Sequence, residues 1–178
     1  ADRYDTAMIL AGLLRAWGTL GKVTPAAMTF VFALLSVAPL RMPDGLTVTP
    51  SLSLMAVYYW TIYRPDLMPP ALIFLIGIVQ DVVSGAYLGL TPLLLLGTYA
   101  FALSQRRAFL GKPFALAWGG FFLVLLATTS FTWIIVSLIA RTPVPLQQPA
   151  LQFLSTLLLF PLVVWLFVRT HRRLLPGQ

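Results

Sequence analysis

The sequence predicts an all-α integral membrane protein with six transmembrane helices and both termini on the cytoplasmic side. Three observations carry that expectation: the balance of apolar to charged residues, six apolar runs in series, and the sidedness of the basic residues. Of 178 residues, 59% are hydrophobic and 10% are charged, and the mean hydropathy is +0.89. A soluble domain carries about 25% charge, and a single core has no room for so large an apolar excess, whereas a bilayer solvates it. Cysteine is absent, which excludes disulfides, thiol catalysis, iron–sulfur clusters and cysteine-bound zinc. The lone His171 cannot assemble a zinc site, so neither a metal nor another cofactor is expected. A pI near 10.4 would suit nucleic acid, but Lys and Arg are scattered between apolar runs instead of gathered on one polar face. Their positions point to membrane topology, with no nucleic-acid partner.

Residues 1–22 mix Asp2, Arg3, Asp5 and Arg15 with Met8, Ile9, Leu10, Leu13, Leu14, Trp17 and Leu20 at roughly helical spacing. The uncharged stretch from Asp5 to Arg15 is too short to span, so it reads as an amphipathic helix lying on the surface. Six apolar runs follow: Val23 to Leu40, Thr47 to Tyr63, Met68 to Val83, Thr91 to Ser104, Pro113 to Ala140, and Pro149 to Val168. The pairs Thr24-Pro25, Thr49-Pro50 and Thr91-Pro92 read as helix starts, with Thr as the cap and Pro in the first helical position. The first run ends in Ser36-Val37-Ala38, which resembles a signal-cleavage site, but Pro39 directly after it disfavours cleavage and a retained helix is expected. Pro161 in the sixth run should leave the Leu157 carbonyl without its helical donor and kink the helix. The expected organisation is a surface helix over 1–22, a six-helix membrane domain over 23–168 and a basic cytoplasmic tail over 169–178.

With six spans, the termini share one side with the loops at 64–67 and 105–112. That side holds Arg3, Arg15, Lys22, Arg64, Arg106, Arg107, Lys112, Arg169, Arg172 and Arg173, and the other holds Arg41 and Arg141. So strong a bias places the basic side in the cytoplasm. Tyr58, Tyr59, Trp60 and Tyr63 precede Arg64 and read as an aromatic belt at the inner interface.

Asp81 is the one acid inside an apolar run. A charge there costs about 2.5 to 3.5 kcal/mol on insertion scales, so it should face protein or water and have a partner. It could contact a substrate, a proton path or a partner. It could instead accept hydrogen bonds from free N–H groups of the Gly-rich turn, or of the next helix start at Thr91-Pro92. The second reading is favoured, because no second membrane carboxylate, His or Lys exists for Asp81 to work with. Enzymatic readings fail on the same inventory: an aspartyl protease needs two carboxylates, a Ser or Thr nucleophile needs a base, and magnesium-dependent phosphotransfer needs several acidic ligands.

Gly77, Asp81, Gly85 and Gly89 recur every four residues, so while the segment stays helical they form a small-residue stripe, the kind that lets helices approach closely in lipid. Gly85 and Gly89 also suit a tight outer turn. The fifth run adds Gly119 and Gly120, then Thr128, Thr129, Ser130 and Thr132, whose hydroxyls can bond the i−4 carbonyl or a neighbouring helix. Internal packing is the default reading and a partner groove the second. Arg106, Arg107, Lys112, Arg169, Arg172 and Arg173 make a cytoplasmic basic face suited to anionic lipid at about 1 kcal/mol per residue, or to a docked protein.

From Tyr59 to about Leu96 the chain resembles the MreD family of rod shape-determining membrane proteins. The stretch Tyr59-Trp60-Thr61-Ile62-Tyr63-Arg64-Pro65 looks like the family's aromatic helix end followed by Arg-Pro, and Gly77 to Gly89 looks like its Gly-x-x-x-Asp-x-x-x-Gly-x-x-x-Gly block. The family's plan, six spans with both ends inside, then covers Val23 to Val168. The positions singled out as partner-binding or structural are Arg64, Pro65, Gly77, Gln80, Asp81, Gly85, Gly89, Gly119 and Gly120. The resemblance implies a non-enzymatic part of the cell-elongation machinery in the bacterial inner membrane. It also implies MreC as partner, and through it MreB filaments, the glycosyltransferase RodA and the elongation transpeptidase. The plan is similar as well to the six-helix substrate-binding subunits of energy-coupling-factor transporters, which supplies a rival: a membrane receptor for a vitamin-type small molecule. Such a receptor needs several polar groups around a concave pocket, and the loops Arg41 to Leu46, Ser84 to Leu90 and Arg141 to Gln148 offer few. The scaffold is therefore favoured.

The topology is testable because the chain has no native cysteine. Cysteines introduced near Arg107 and near Arg172 are expected to be shielded from impermeant thiol reagents in intact spheroplasts, while one near Gly45 reacts. Labelling at both Arg107 and Gly45 breaks the six-span plan.

Overall fold

The structure, a computed structural model, describes residues 24–38, 40–41, 47–109, 114–142 and 144–174, with only the backbone for 40–41, 47–48, 109 and 170–174. The surface helix expected over 1–22 lies outside the described residues. Six helices follow the apolar runs: α1 Thr24–Val37, α2 Leu52–Tyr63, α3 Pro70–Ser84, α4 Leu90–Phe109, α5 Phe114–Ala140 and α6 Gln147–Leu174. Among the described residues, the departures from α-helix are small. A two-residue antiparallel ribbon, β1 Leu40–Arg41 with β2 Thr47–Val48, precedes α2, and a 3₁₀ turn at Pro65–Leu67 follows it.

Helix α2 is the centre of the molecule. It has 12 residues, and Ser53 through Ile62 are all buried, so it has no outward face. At 1.5 Å per residue it is about 18 Å long, well short of the roughly 30 Å hydrocarbon thickness. Among the described residues, α5 and α6 as far as Arg169 are the helices long and apolar enough to cross a bilayer by themselves. The packing around α2 is aromatic. Phe121 of α5 stacks on Phe160 of α6 with ring centroids 4.0 Å apart, and both lean on Tyr58. Phe167 meets Phe32, Tyr59 and Trp60 at 5.0, 5.1 and 5.6 Å. The Tyr58 hydroxyl donates to the Ala117 carbonyl at 2.9 Å, which places a polar tip in a greasy core without leaving it unpaired.

Two sequence expectations change here. Tyr58, Tyr59 and Trp60 do not form an interfacial belt: they are 1%, 3% and 0% exposed, and Tyr63 alone of the four reaches the surface. A short helix enclosed by four others has nowhere else to put them. The Thr-Pro pairs also do not cap as expected. Ser51, not Thr49, occupies the N-cap of α2, and α4 begins at Leu90, one residue ahead of Thr91-Pro92. Helix α6 runs through Pro161 from Gln147 to Leu174.

The outer wall is apolar. Leu35 of α1, Leu75 of α3, Leu123 and Leu138 of α5, and Leu158 and Leu162 of α6 are all exposed, with many neighbours like them. Water-soluble monomers do not tolerate that much contiguous apolar surface, whereas lipid solvates it. On α5, neighbouring residues therefore have opposite roles. Phe121→Ala removes a ring from the central stack and should lower the thermal-aggregation midpoint in detergent markedly, consistent with the roughly 3 to 5 kcal/mol such truncations cost in packed cores. Leu123→Ala, on the lipid wall, should change it little.

Candidate functional site

The Gly77 to Gly89 block folds as the α3–α4 hairpin. Helix α3 ends at Gly85, left-handed at φ 65°, whose N–H returns to the Asp81 carbonyl, and Gly89 follows at φ 95°. The stripe is therefore helical only through Asp81, and Gly85 and Gly89 shape the turn, where side chains at those φ values are disfavoured. Gly77 has a different role. A Cβ built on it falls 2.6 Å from the Pro92 Cα, so α3 and α4 touch backbone to backbone there, and this face is occupied within the chain.

Asp81 is fully buried. Its Oδ2 accepts from the N–H of Gly89 at 2.8 Å and of Thr91 at 3.3 Å. Those are donors that the first turn of α4 cannot satisfy internally. The acid thus ties the end of one helix to the start of the next. Its Oδ1 has no hydrogen-bond partner among the described residues.

Beside this hairpin lies a cavity of about 350 Å³. Gln80 of α3, Thr91 of α4, Thr128, Thr132 and Trp133 of α5, and Gln148 and Gln152 of α6 line it, with Thr49 and Ser51 from the approach to α2 and Ser53 from its first turn. The count of polar loop residues missed this cavity because helices supply most of its polar groups. Ser51 and Gln152 are brought together across 101 residues, with the amide donating to the hydroxyl at 2.9 Å. Gln148, just ahead of the sixth apolar run, and Gln152 inside it, four residues on, were the available signal.

A second concavity, about 420 Å³ and nearly all apolar, opens between α4 and α5. Leu93, Gly97 and Phe101 form one wall, and Leu123, Ala127 and Phe131 the other. A Cβ at Gly97 would meet nothing within 4 Å. No motif flagged Gly97, because an isolated glycine in a helix has no spacing to read. Of the Gly119-Gly120 pair, Gly120 is buried, while a Cβ on Gly119 meets open space.

The basic residues divide. Arg106 is not free to serve the basic face, because its Nε donates to the Ile62 carbonyl at the end of α2, at 2.9 Å. Arg107 is exposed, and the Arg169 guanidinium lies 5.4 Å from the Trp165 ring, a cation–π distance. Arg64 donates its backbone N–H to Trp60, and Pro65 opens the 3₁₀ turn. Lys112 lies outside the described residues, and for Arg172 and Arg173 only the helical backbone is described.

Among the described residues, Asp81 is the one buried acid, and it is engaged with helix ends. Apolar outer walls, backbone-close helix contacts and polar groups placed at helix ends define a membrane-embedded helical protein. A family model for the rod shape-determining protein MreD matches residues 19–171, so the chain belongs to that family of shape-determining membrane proteins. No curated protein and no solved structure matches it.

Asp81→Asn keeps an acceptor oxygen for Gly89 and Thr91 and should preserve protein level and thermal midpoint. Asp81→Leu strands both donors at about 1 to 3 kcal/mol each and should lower both. If the Asn variant is stable and abundant yet fails to support rod shape, the charge itself has a role beyond the cap.

Proposed function

We propose that this protein is a non-enzymatic scaffold of the bacterial elongation complex in the inner membrane. It would cross six times with both termini cytoplasmic, bind the transmembrane helix of MreC, and support lateral peptidoglycan synthesis and rod shape. RodA, the elongation transpeptidase and MreB would be reached through that complex. The surface helix over 1–22 and the basic residues Arg107, Lys112, Arg172 and Arg173 would rest against anionic lipid. Membership of the shape-determining family supports this reading. The short α2 is compatible with a crossing segment, because non-helical backbone at membrane depth is tolerated where protein covers it.

The observation that carries the docking proposal is the α4–α5 groove. It is apolar, would face lipid in the six-span plan, and has a glycine on its wall with open space above it. In lipid, helices associate through close packing at small residues, and Gly97 leaves room for a neighbour's backbone. The contact expected at Gly77 moves accordingly, since Pro92 already fills that position.

The test is affinity purification from native membranes in gentle detergent, with the variants Gly97→Leu and Gly119→Leu. Gly97→Leu should cut recovery of an MreC-like bitopic protein about tenfold, equivalent to roughly 1.4 kcal/mol of lost packing, at unchanged protein level. If only Gly119→Leu does so, the contact lies near the start of α5, outside the groove lining, and the groove assignment is wrong. If no MreC-like protein is recovered with the wild type and a vitamin-type ligand binds tightly, the transporter-subunit reading replaces the scaffold.

A further inference from the structure

The cavity beside the α3–α4 hairpin has a chemical character that scaffolding does not use. Among the described residues no charged side chain lines it, so a charged ligand would lose its hydration without a counter-charge from them to replace it. Several of its polar groups are left to accept. The Thr128 and Thr132 hydroxyls spend their protons on the carbonyls of Val124 and Thr128, at 2.9 and 2.8 Å, which leaves oxygen lone pairs for the cavity. Trp133 does the same with its one donor, giving it to the Val144 carbonyl at 3.0 Å, so the indole offers the cavity an apolar ring.

Gln80 adds the sharpest feature. Its Oε1 is buried and has no hydrogen-bond partner among the described residues. Native proteins seldom leave such an atom unmatched, and in a low-dielectric setting it favours a molecule that brings a donor. The volume falls at the lower end of the roughly 300 to 1,000 Å³ range of small-molecule sites.

We propose that this cavity binds an uncharged, hydroxyl-rich molecule of about one or two sugar rings, whose O–H or N–H groups donate to Gln80 Oε1 and to the threonine oxygens while its apolar face meets Trp133. The site does not depend on the α4–α5 groove being a docking surface, and each can fail alone.

The experiment uses the full chain in lipid nanodiscs prepared without sugar-based detergent, which would itself compete. Saturation-transfer NMR is recorded with chitobiose, maltose and myo-inositol as uncharged probes and glycerol 3-phosphate as a charged one. Saturation of at least one uncharged probe is expected, weakened about tenfold in apparent affinity by Gln80→Leu. Thr132→Phe fills the cavity from a residue whose hydrogen bond stays within its own helix, and it should also abolish the signal. Both variants are checked for an unchanged thermal midpoint. If one fails that check, the other decides. The proposal is overturned if no uncharged probe is saturated, if the signal survives both substitutions in folded protein, or if glycerol 3-phosphate competes equally well.

Discussion

The fold depends on satisfying the two ends of a helix that is too short and too deeply buried to do so with water. Helix α2 has unpaired N–H groups at its start and unpaired carbonyls at its finish, and in a lipid-surrounded core each would cost several kcal/mol if left alone. Its own N-cap side chain makes no capping bond. The bonds come from elsewhere: the Ser51 N–H goes to the Thr156 hydroxyl of α6, the Ser53 N–H to the Ser36 hydroxyl of α1, and Arg106 of α4 donates to the Ile62 carbonyl. Asp81 applies the same solution between α3 and α4. Polar residues in this chain are few, and among the buried ones Ser36, Asp81 and Thr156 serve a helix end on another element, while Thr29, Thr61 and Thr98 bond a carbonyl of their own helix.

That economy explains what the sequence could and could not disclose. The six helices were legible because apolar runs and their breaks are local properties. The hairpin role open to Asp81 was legible because an acid among glycines has few donors other than the turn beside it. The aromatic cluster before Arg64 was misleading: Tyr58, Tyr59 and Trp60 carry the composition of an interface, and only the enclosure of α2 by its neighbours turns them into core. Arg106 likewise has the sequence appearance of a topological anchor, and its tie to Ile62 spans 44 residues. Gly97 and the pairing of Ser51 with Gln152 were invisible for the same reason, since each gains meaning from a helix far away in the chain.

The polar cavity and the apolar groove are two sides of one seam. Leu94 of α4 and Thr128 of α5 line both, so the wall between them is as thin as a pair of side chains. A molecule seated in the cavity and a helix seated in the groove would each press on those residues. Close-packed interiors transmit such displacement instead of absorbing it, so occupancy of one would alter affinity for the other, with equal strength in both directions.

The distant caps of α2 also impose an order in time. Ser51 is paired with Gln152 and Thr156, which lie 101 and 105 residues downstream. At a synthesis rate of about 5 to 20 residues per second, the start of α2 leaves the ribosome roughly 5 to 20 seconds before the groups that will cap it exist. During that interval the central helix cannot hold its final place in lipid, and its exposed N–H groups need water or the insertion machinery. Helix α6 is the one that closes the first half of the protein.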